Sequence, residues 1–318
     1  MSFVLKTEDE YEDLLGLWSD LEAGLSMLLL HPQNAREFAT RILQYDRWMQ
    51  NLIQHDTDVA LYLLFQLASH SPVGYSASHA LVCAVLCHLV AREIQLPPTE
   101  RDSLVHAALT MNIAMTGLQN QLANQRGRPT PEQEVALRTH EARGEDLLRT
   151  LGIDDELWLQ TVLQHHQEAS SSEDLLRLAA AQRLTHILNV VDRYAAMISP
   201  RQSRAGRSAT ESAKSIVASS SAQNNQVGQT LMKVVGLFPP GTFVQLDNAT
   251  VGVVMRRRNQ DKHPDIAIVL NDKGQLMRPP SLHSSFNGSP AITAALPASG
   301  VQEHLNHHLI LQLGAQQG

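Results

Sequence analysis

Apolar side chains recur every three to four residues through most of the chain and switch to every second residue only after Gly236. Thr7 followed by Glu8-Asp9-Glu10 is a helix start, a hydroxyl cap before acids that favour the positive end of the helix dipole. Tyr11, Leu14, Leu15, Trp18, Leu21 and Leu25 then mark one helix face. His31-Pro32 ends it, and apolar stripes predict two more helices, over about 34–52 and about 58–68. After Ser71-Pro72-Val73-Gly74 a helix over about 76–93 carries His79, Cys83 and Cys87 at successive i, i+4 positions, hence on one face. A helix over about 99–118 follows, with Leu104, Ala108, Met111, Met115 and Leu118 as a continuous inward stripe. Thr130-Pro131-Glu132 starts a helix that reaches His140 and is continued or renewed from Gly144 to Leu151. Asp154-Asp155-Glu156 leads a further helix through Trp158 and Val162 to His165-His166. The polar run Ala169-Ser170-Ser171-Ser172-Glu173 is a loop, and a long helix over about 173–198 places Leu184, Leu188, Val191, Asp192 and Ala195 on one face.

Between Pro200 and Gln229 the chain turns to Ser, Ala, Gln, Asn and Arg, including Ser219-Ser220-Ser221, which predicts a mobile connector around one weak helix over about 210–218. Three β-rich runs follow, Thr242 to Leu246, Val251 to Met255 and Ile266 to Leu270. Asn248, Asn259-Gln260-Asp261-Lys262 and Asn271-Asp272-Lys273-Gly274 supply the turns of a small meander. The expected architecture is therefore mainly α. It has a helical extension over 1–70, a helical bundle domain over 71–200, a polar connector with a helix over 201–235, and a small β-rich module with a tail over 236–318.

Composition narrows the class. Aromatics at 4% leave Leu, Ala, Val and Met to fill the core, which favours helices. A formal net charge of −7 argues against a nucleic-acid polymer as partner, and only Arg256-Arg257-Arg258 is locally basic. Cys83 and Cys87, the only cysteines, suit small buried residues in a reducing cytoplasm better than a disulfide framework. The first ten residues lack the pattern of a signal peptide, and the longest uninterrupted apolar stretch, Ala80 to Cys87, is shorter than the roughly 18–20 residues of a membrane span.

Of the fifteen histidines, most suit a solvated surface, including His304, His307 and His308 near the end. His79, His140, His165, His166 and Asp192 differ, because they fall on four different predicted helices, one pair at a helix end. Neutral imidazoles and a carboxylate converging from neighbouring helices are how bundles build metal sites. Asp192 stands on an otherwise apolar stripe, where a carboxylate needs a partner. The expected cofactor is one divalent transition metal (Fe, Mn, Zn or Ni), with a metal-free protein as the alternative. Cys83 and Cys87 offer soft ligands beside His79, and Met111 and Met115 offer thioethers, but packing explains all four.

In order along the chain, these residues resemble the HD-GYP family, bacterial HD-superfamily phosphodiesterases that hydrolyse cyclic di-GMP. Tyr75-x-x-x-His79 is similar to the family's first histidine helix, and Ala107 to Met115 to its A-A-L-L-H-D-I-G-K run. His140 four residues before Gly144, His165-His166-Gln167-Glu168, and Val191-Asp192-Arg193-Tyr194-Ala195-Ala196 resemble the next ligand segments. Gly236-Leu237-Phe238-Pro239-Pro240-Gly241-Thr242 with the strand at Val251 is similar to the family's appended β-module. The resemblance covers roughly 71–280 and implies an HD-type helical bundle. It also marks departures. The defining His-Asp pair is Met111-Asn112, the lysine is Met115, the G-Y-P loop is replaced by Ser170-Ser171-Ser172-Glu173-Asp174, and Tyr75 stands where three-metal members carry a glutamate.

A two-metal phosphodiester clamp needs a shared anionic ligand, and Asn112 is a neutral amide. The expected function is a degenerate HD-GYP-type regulatory or binding module of cyclic-dinucleotide signalling, with little or no phosphodiesterase activity. A cyclic dinucleotide, protein partners and a homodimer are the expected associations. The competing expectation is an active metal-dependent phosphohydrolase, on cyclic di-GMP or another phosphate ester, using the reduced set of His79, His140, His165, His166 and Asp192. A third is a metal-free helical module of the HDOD type, against which the retained histidines and the β-module count.

Overall fold

The computed structural model describes residues 8–70, 74–167, 174–203, 206–218, 222–258, 263–285, 288–298, 301 and 305–315. The Thr7 cap, Ser71-Pro72-Val73, the serine-rich loop over 168–173, Ser219-Ser220-Ser221, the turn over 259–262 and His304 lie outside the described residues. The element order is α1 (Glu8–Leu30), α2 (Phe38–His55), α3 (Thr57–His70), α4 (Tyr75–Glu93), α5 (Pro98–Thr110), α6 (Thr116–Ala123), α7 (Pro131–Arg138), α8 (His140–Thr150), α9 (Glu156–Gln164), α10 (Ala180–Ile198), α11 (Ala209–Ala218) and α12 (Ala222–Val235). Strands β1 (Phe243–Leu246), β2 (Val251–Arg256), β3 (Asp265–Leu270), β4 (Leu276–Ser284) and β5 (Ile292–Leu296) precede a last helix, α13 (His307–Ala315). The expected mainly α class is borne out: a helical bundle with a small antiparallel sheet behind it.

Helix α4 is the axis of the bundle. Its side chains are apolar nearly all round, and every residue from Ser76 to Ala91 is buried, the pattern of a helix enclosed on all sides. It packs against α1, α3, α5, α6, α10 and α12. By length and composition α4 could cross a membrane, but 89% of that stretch is buried inside the protein. Around it, α5, α9 and α10 are fixed by polar contacts at their ends. Asp155 caps α9 by accepting from the backbone of Leu157 and Trp158, while its second oxygen accepts from Ser103 of α5 at 2.6 Å. Arg183 of α10 makes a bidentate pair with Glu100 of α5, at 2.9 and 2.8 Å.

Several elements differ from their sequence expectation. The helix expected to run on to Leu118 stops at Thr110; a short 3-10 turn, Ile113–Met115, precedes α6. Asn112 leaves the helical region at φ −104°, ψ 15°, and Met115 at φ −134°, ψ 19°. Met111 and Met115 nevertheless point inward, at 1% and 9% exposure. The long helix ending at Ile198 begins at Ala180, after a 3-10 turn over Leu175–Arg177. Where a mobile connector was expected, α11 and α12 pair with each other and lie on α10, and α12 also packs on α4. Ile216, Val227, Leu231 and Val235 are buried there.

The three expected strands form the meander, and β4 and β5 extend it to a five-stranded antiparallel sheet in the order β4-β3-β2-β1-β5. Alternation sorts its side chains. Phe243, Val253, Met255, Ala267 and Val269 join the main core with the helices, while Val244, Leu246, Val254, Ile266 and Ile268 form a second cluster on the other face. Pro279 and Pro280 lie in β4, an edge strand, where a missing N–H is tolerated.

The sheet is bound to α3. Gly241, at φ +86°, approaches so closely that a Cβ there would sit 2.5 Å from the Tyr62 carbonyl. Two residues of the basic triplet prove to be part of this junction, Arg256 pairing with Asp56 and Arg257 with Asp58, while Arg258 pairs with Asp265 of β3. His307 is likewise no simple surface residue. Its Nδ1 lies 2.8 Å from the hydroxyl of the buried Tyr62.

Candidate metal centre

The five expected ligands are brought to one region of the bundle but divide into two sets. His140, His165 and His166 form one; His79 and Asp192 form the other, joined by Cys83. Within each set one ligand atom per residue lies within 4.8 Å of the others.

The imidazole set is built at two helix ends. His140 opens α8, and His165 and His166 follow the last residue of α9. The end of α9 is held to α10 by Asn189, whose amide donates to the His165 carbonyl at 2.9 Å. His140 and His165 are buried and His166 is exposed. His166 lines a surface pocket of about 340 Å³ with Arg138, Glu141, Ala142, Leu163 and Gln167, which gives the set an opening to solvent.

Hydrogen bonding fixes the tautomers of the buried pair. His140 Nδ1 is 2.6 Å from the Leu137 carbonyl, with the Glu141 carboxylate at 3.3 Å, and His165 Nδ1 is 2.7 Å from the Val162 carbonyl. A carbonyl only accepts, so both Nδ1 atoms carry the proton. In the neutral rings both Nε2 atoms then present lone pairs, and these face each other at 3.3 Å. Burial lowers the pKa of His140, and burial with the adjacent His166 lowers that of His165 to about 3, so a shared proton does not relieve the contact near neutral pH. A cation does. Two imidazoles on a tetrahedral ion with bonds of about 2.0–2.1 Å stand about 3.3–3.4 Å apart, N to N, matching the observed separation. The carbonyl partners on Nδ1 are the outer contacts that orient metal-binding histidines. The donor set and its geometry therefore fit a divalent transition metal.

The second set sits where α4 meets α10. His79 Nε2 lies 2.8 Å from Asp192 Oδ1 and 3.7 Å from Cys83 Sγ. Tyr75 stacks on His79 with ring centroids 5.4 Å apart. Arg201 in turn donates to the Tyr75 hydroxyl at 2.8 Å and lies 4.7 Å from its ring centroid. Burial alone would raise the Asp192 pKa, but the His79 hydrogen bond and the surrounding imidazoles outweigh it and hold it at about 2. The carboxylate is thus charged and has the partner its apolar stripe required. Burial pushes the Cys83 thiol well above its usual value. Sequence reasoning ranked Cys83 as packing; its i+4 spacing from His79 was the available signal. Arg201 and Asn189 gave no such signal, since both contacts depend on how distant segments meet.

Met111, Asn112 and Met115 offer neither an imidazole nor a carboxylate to either set. Asn112 Oδ1 is buried without a hydrogen-bond partner. The Met111 carbonyl would lie 3.8 Å from a Cβ at Gly144, so the segment packs directly on α8 beside the imidazole set.

No family model matches the chain. A curated relative from Pseudomonas aeruginosa, the cyclic di-GMP phosphodiesterase PA4108, is 28% identical over 204 residues, or 63% of this chain and 49% of that protein. The chain thus spans about half the length of that relative. Among solved structures, Bd1817, a HDG"Y"P protein from Bdellovibrio bacteriovorus, matches with a TM-score of 0.49 at 13% identity, over 71% of this chain and 72% of that one. The resemblance carried by the order of the histidines, Gly144 and Asp192 thus has a cyclic di-GMP phosphodiesterase beside it as a relative, and the chain is HD-GYP-like.

Proposed function

We propose that this chain is a cytoplasmic module of cyclic-dinucleotide signalling that has kept the HD-GYP bundle and part of its metal site but has largely given up hydrolysis. The observation that carries this reading is the burial of Met111 and Met115, with a neutral amide at Asn112, where the resemblance implies two ligands and a phosphate-binding lysine. A metal held by His140, His165 and His166 would supply Lewis-acid polarisation of a phosphoryl oxygen. A second ion tied to it through a shared carboxylate would also be needed to clamp the attacking and leaving oxygens, and Asn112 supplies no negative charge for that bridge. Without the lysine, charge developing on the phosphate in the transition state loses a further stabilising contact. Binding places fewer demands on the site than turnover does. A cyclic dinucleotide is the proposed ligand, because the curated relative is a phosphodiesterase for one. Protein partners and a homodimer are the proposed routes by which binding is read out.

Purified protein supplied in turn with Mn²⁺, Fe²⁺ and Zn²⁺ is expected to release no pGpG or GMP from cyclic di-GMP above background, while calorimetry detects binding of the intact dinucleotide. Steady product release that disappears in His165→Ala would overturn the proposal. One observation favours the opposite reading, an active phosphohydrolase on cyclic di-GMP or another ester: the 3.3 Å spacing of the two Nε2 atoms is metal-ready. Turnover of other phosphate esters, lost on chelation and restored by metal, would establish it.

A further inference from the structure

We propose that the cavity between α1, the edge strand β4 and the start of α13 binds a free aliphatic acid of medium chain length, with its carboxylate on Arg278. The sheet itself makes the opening. Leu270 pairs with Leu276 and Ile268 with Ser281, so four residues of β4, Met277 to Pro280, stand opposite Val269 alone. Such a bulge bends a strand out of its ladder and re-aims its side chains. Pro279 and Pro280 have no N–H with which to rejoin the ladder. Helix α13 packs against β3, β4 and α1. The space left between them is about 860 Å³, within the roughly 300–1,000 Å³ of small-molecule sites.

The lining sets the ligand's chemistry. Its wall is largely aliphatic, with Leu15, Val269, Leu276, Pro280, Leu309 and Ile310. Among the described residues no Phe, Tyr or Trp lines it, so a purine base finds no such ring to stack on. Three basic side chains line it too, and two of them are engaged. His307 Nδ1 meets the Tyr62 hydroxyl at 2.8 Å, and His308 Nε2 meets the Gln312 amide at 2.8 Å. Arg278 is exposed and, among the described residues, its side chain makes neither a hydrogen bond nor an ion pair. Arg256, Arg257 and Arg258, also in the β-rich module, each hold an aspartate. A guanidinium takes a carboxylate through two parallel N–H donors. The positive end of α13, capped where Asn306 accepts from the backbone of Leu309, lines the same cavity and favours the same charge. An acid on an aliphatic chain satisfies both the guanidinium and the wall. No residue of either candidate metal set lines the cavity, so the site is independent of the proposed function.

Calorimetric titration of the full-length protein with hexanoate, octanoate and decanoate is expected to show saturable binding that tightens about threefold to fourfold per added methylene. Arg278→Gln should weaken decanoate about tenfold or more and leave decanol unchanged. Leu309→Asp, on an exposed position in the first turn of α13 where an acid suits the helix, should abolish decanoate binding. A diazirine-bearing decanoate should label the wild type within residues 276–280 and 305–310, a readout that needs no variant to fold. Absence of saturable decanoate binding, unchanged affinity in Arg278→Gln, labelling confined to other segments, or displacement of decanoate by cyclic di-GMP would each overturn the proposal. So would capture by anionic phospholipid vesicles without uptake of the free acid.

Discussion

His88 offers a test of the bundle's physics away from the candidate ligands. It lies on α4 at 1% exposure, and neither ring nitrogen has a hydrogen-bond partner. Burial lowers its pKa from 6.5 to about 4, a cost that the nearby Asp46 carboxylate only partly offsets. Between these values the unfolded chain binds a proton at this position and the folded chain does not. Stability therefore falls as pH drops from 6.5 towards 4, and below about 4 the loss is complete. The difference of about 2.5 pH units corresponds to about 3 kcal/mol. His88→Leu removes the titration and replaces two unsatisfied polar atoms by apolar ones of similar bulk. At pH 7 it should gain stability, on the order of 1–3 kcal/mol, from the desolvation cost it abolishes. Urea unfolding of both proteins at pH 7, 6, 5 and 4.5 should show their gap widening as pH falls, even though His165 and other groups titrate in both. Parallel pH profiles, or a variant less stable than wild type at every pH, would refute a buried, neutral and unpartnered His88.

Three further outcomes follow from named contacts. Asp155→Ala should cost about 1–2 kcal/mol in chemical unfolding, since it removes the α9 cap and leaves Ser103 without its 2.6 Å acceptor. Gly241→Ala should be more damaging than its size suggests, by about 1–3 kcal/mol, because it combines a positive φ with a clash against the Tyr62 carbonyl; calorimetric melting reads the loss directly. Zinc at about a hundred times its dissociation constant should stabilise the protein by ~2.7 kcal/mol per site, and His165→Ala should lose the share from the imidazole set. Denaturation with and without chelator separates the two.

The helical stripes and the period change after Gly236 were legible because burial imposes a period on any element with one core face. Breaks and junctions were not. The turn after Thr110 contains neither Gly nor Pro and interrupts a stripe whose methionines stay buried, so periodicity ran straight through it. Val227, Leu231 and Val235 do recur at i+4 spacing and could have exposed α12, but the Ser and Gln content around them suggested a linker. The roles of Arg256 and Arg257 could not be read at all. Asp56 and Asp58 are 200 and 199 residues away from their guanidinium partners, and sequence shows charge without showing which charges meet. The same holds for His307, whose partner is Tyr62.

The candidate site illustrates a sharper asymmetry. Local order along the chain was enough to select His79, His140, His165, His166 and Asp192, yet it suggested one convergent set. Folding sorts them into two sets, because α8 and α9 present their imidazoles at helix ends while His79 and Asp192 project from the second turn of α4 and the later turns of α10. In a two-metal clamp, a carboxylate supplied between such groups would join them. Asn112 has no charge with which to do so, and its Oδ1 is left buried without a partner. The proposed loss of hydrolysis and retention of metal affinity would therefore be compatible consequences of the same substitutions. Without that bridge, the carbonyl contacts that orient His140 and His165 and the His79–Asp192 contact are all in place.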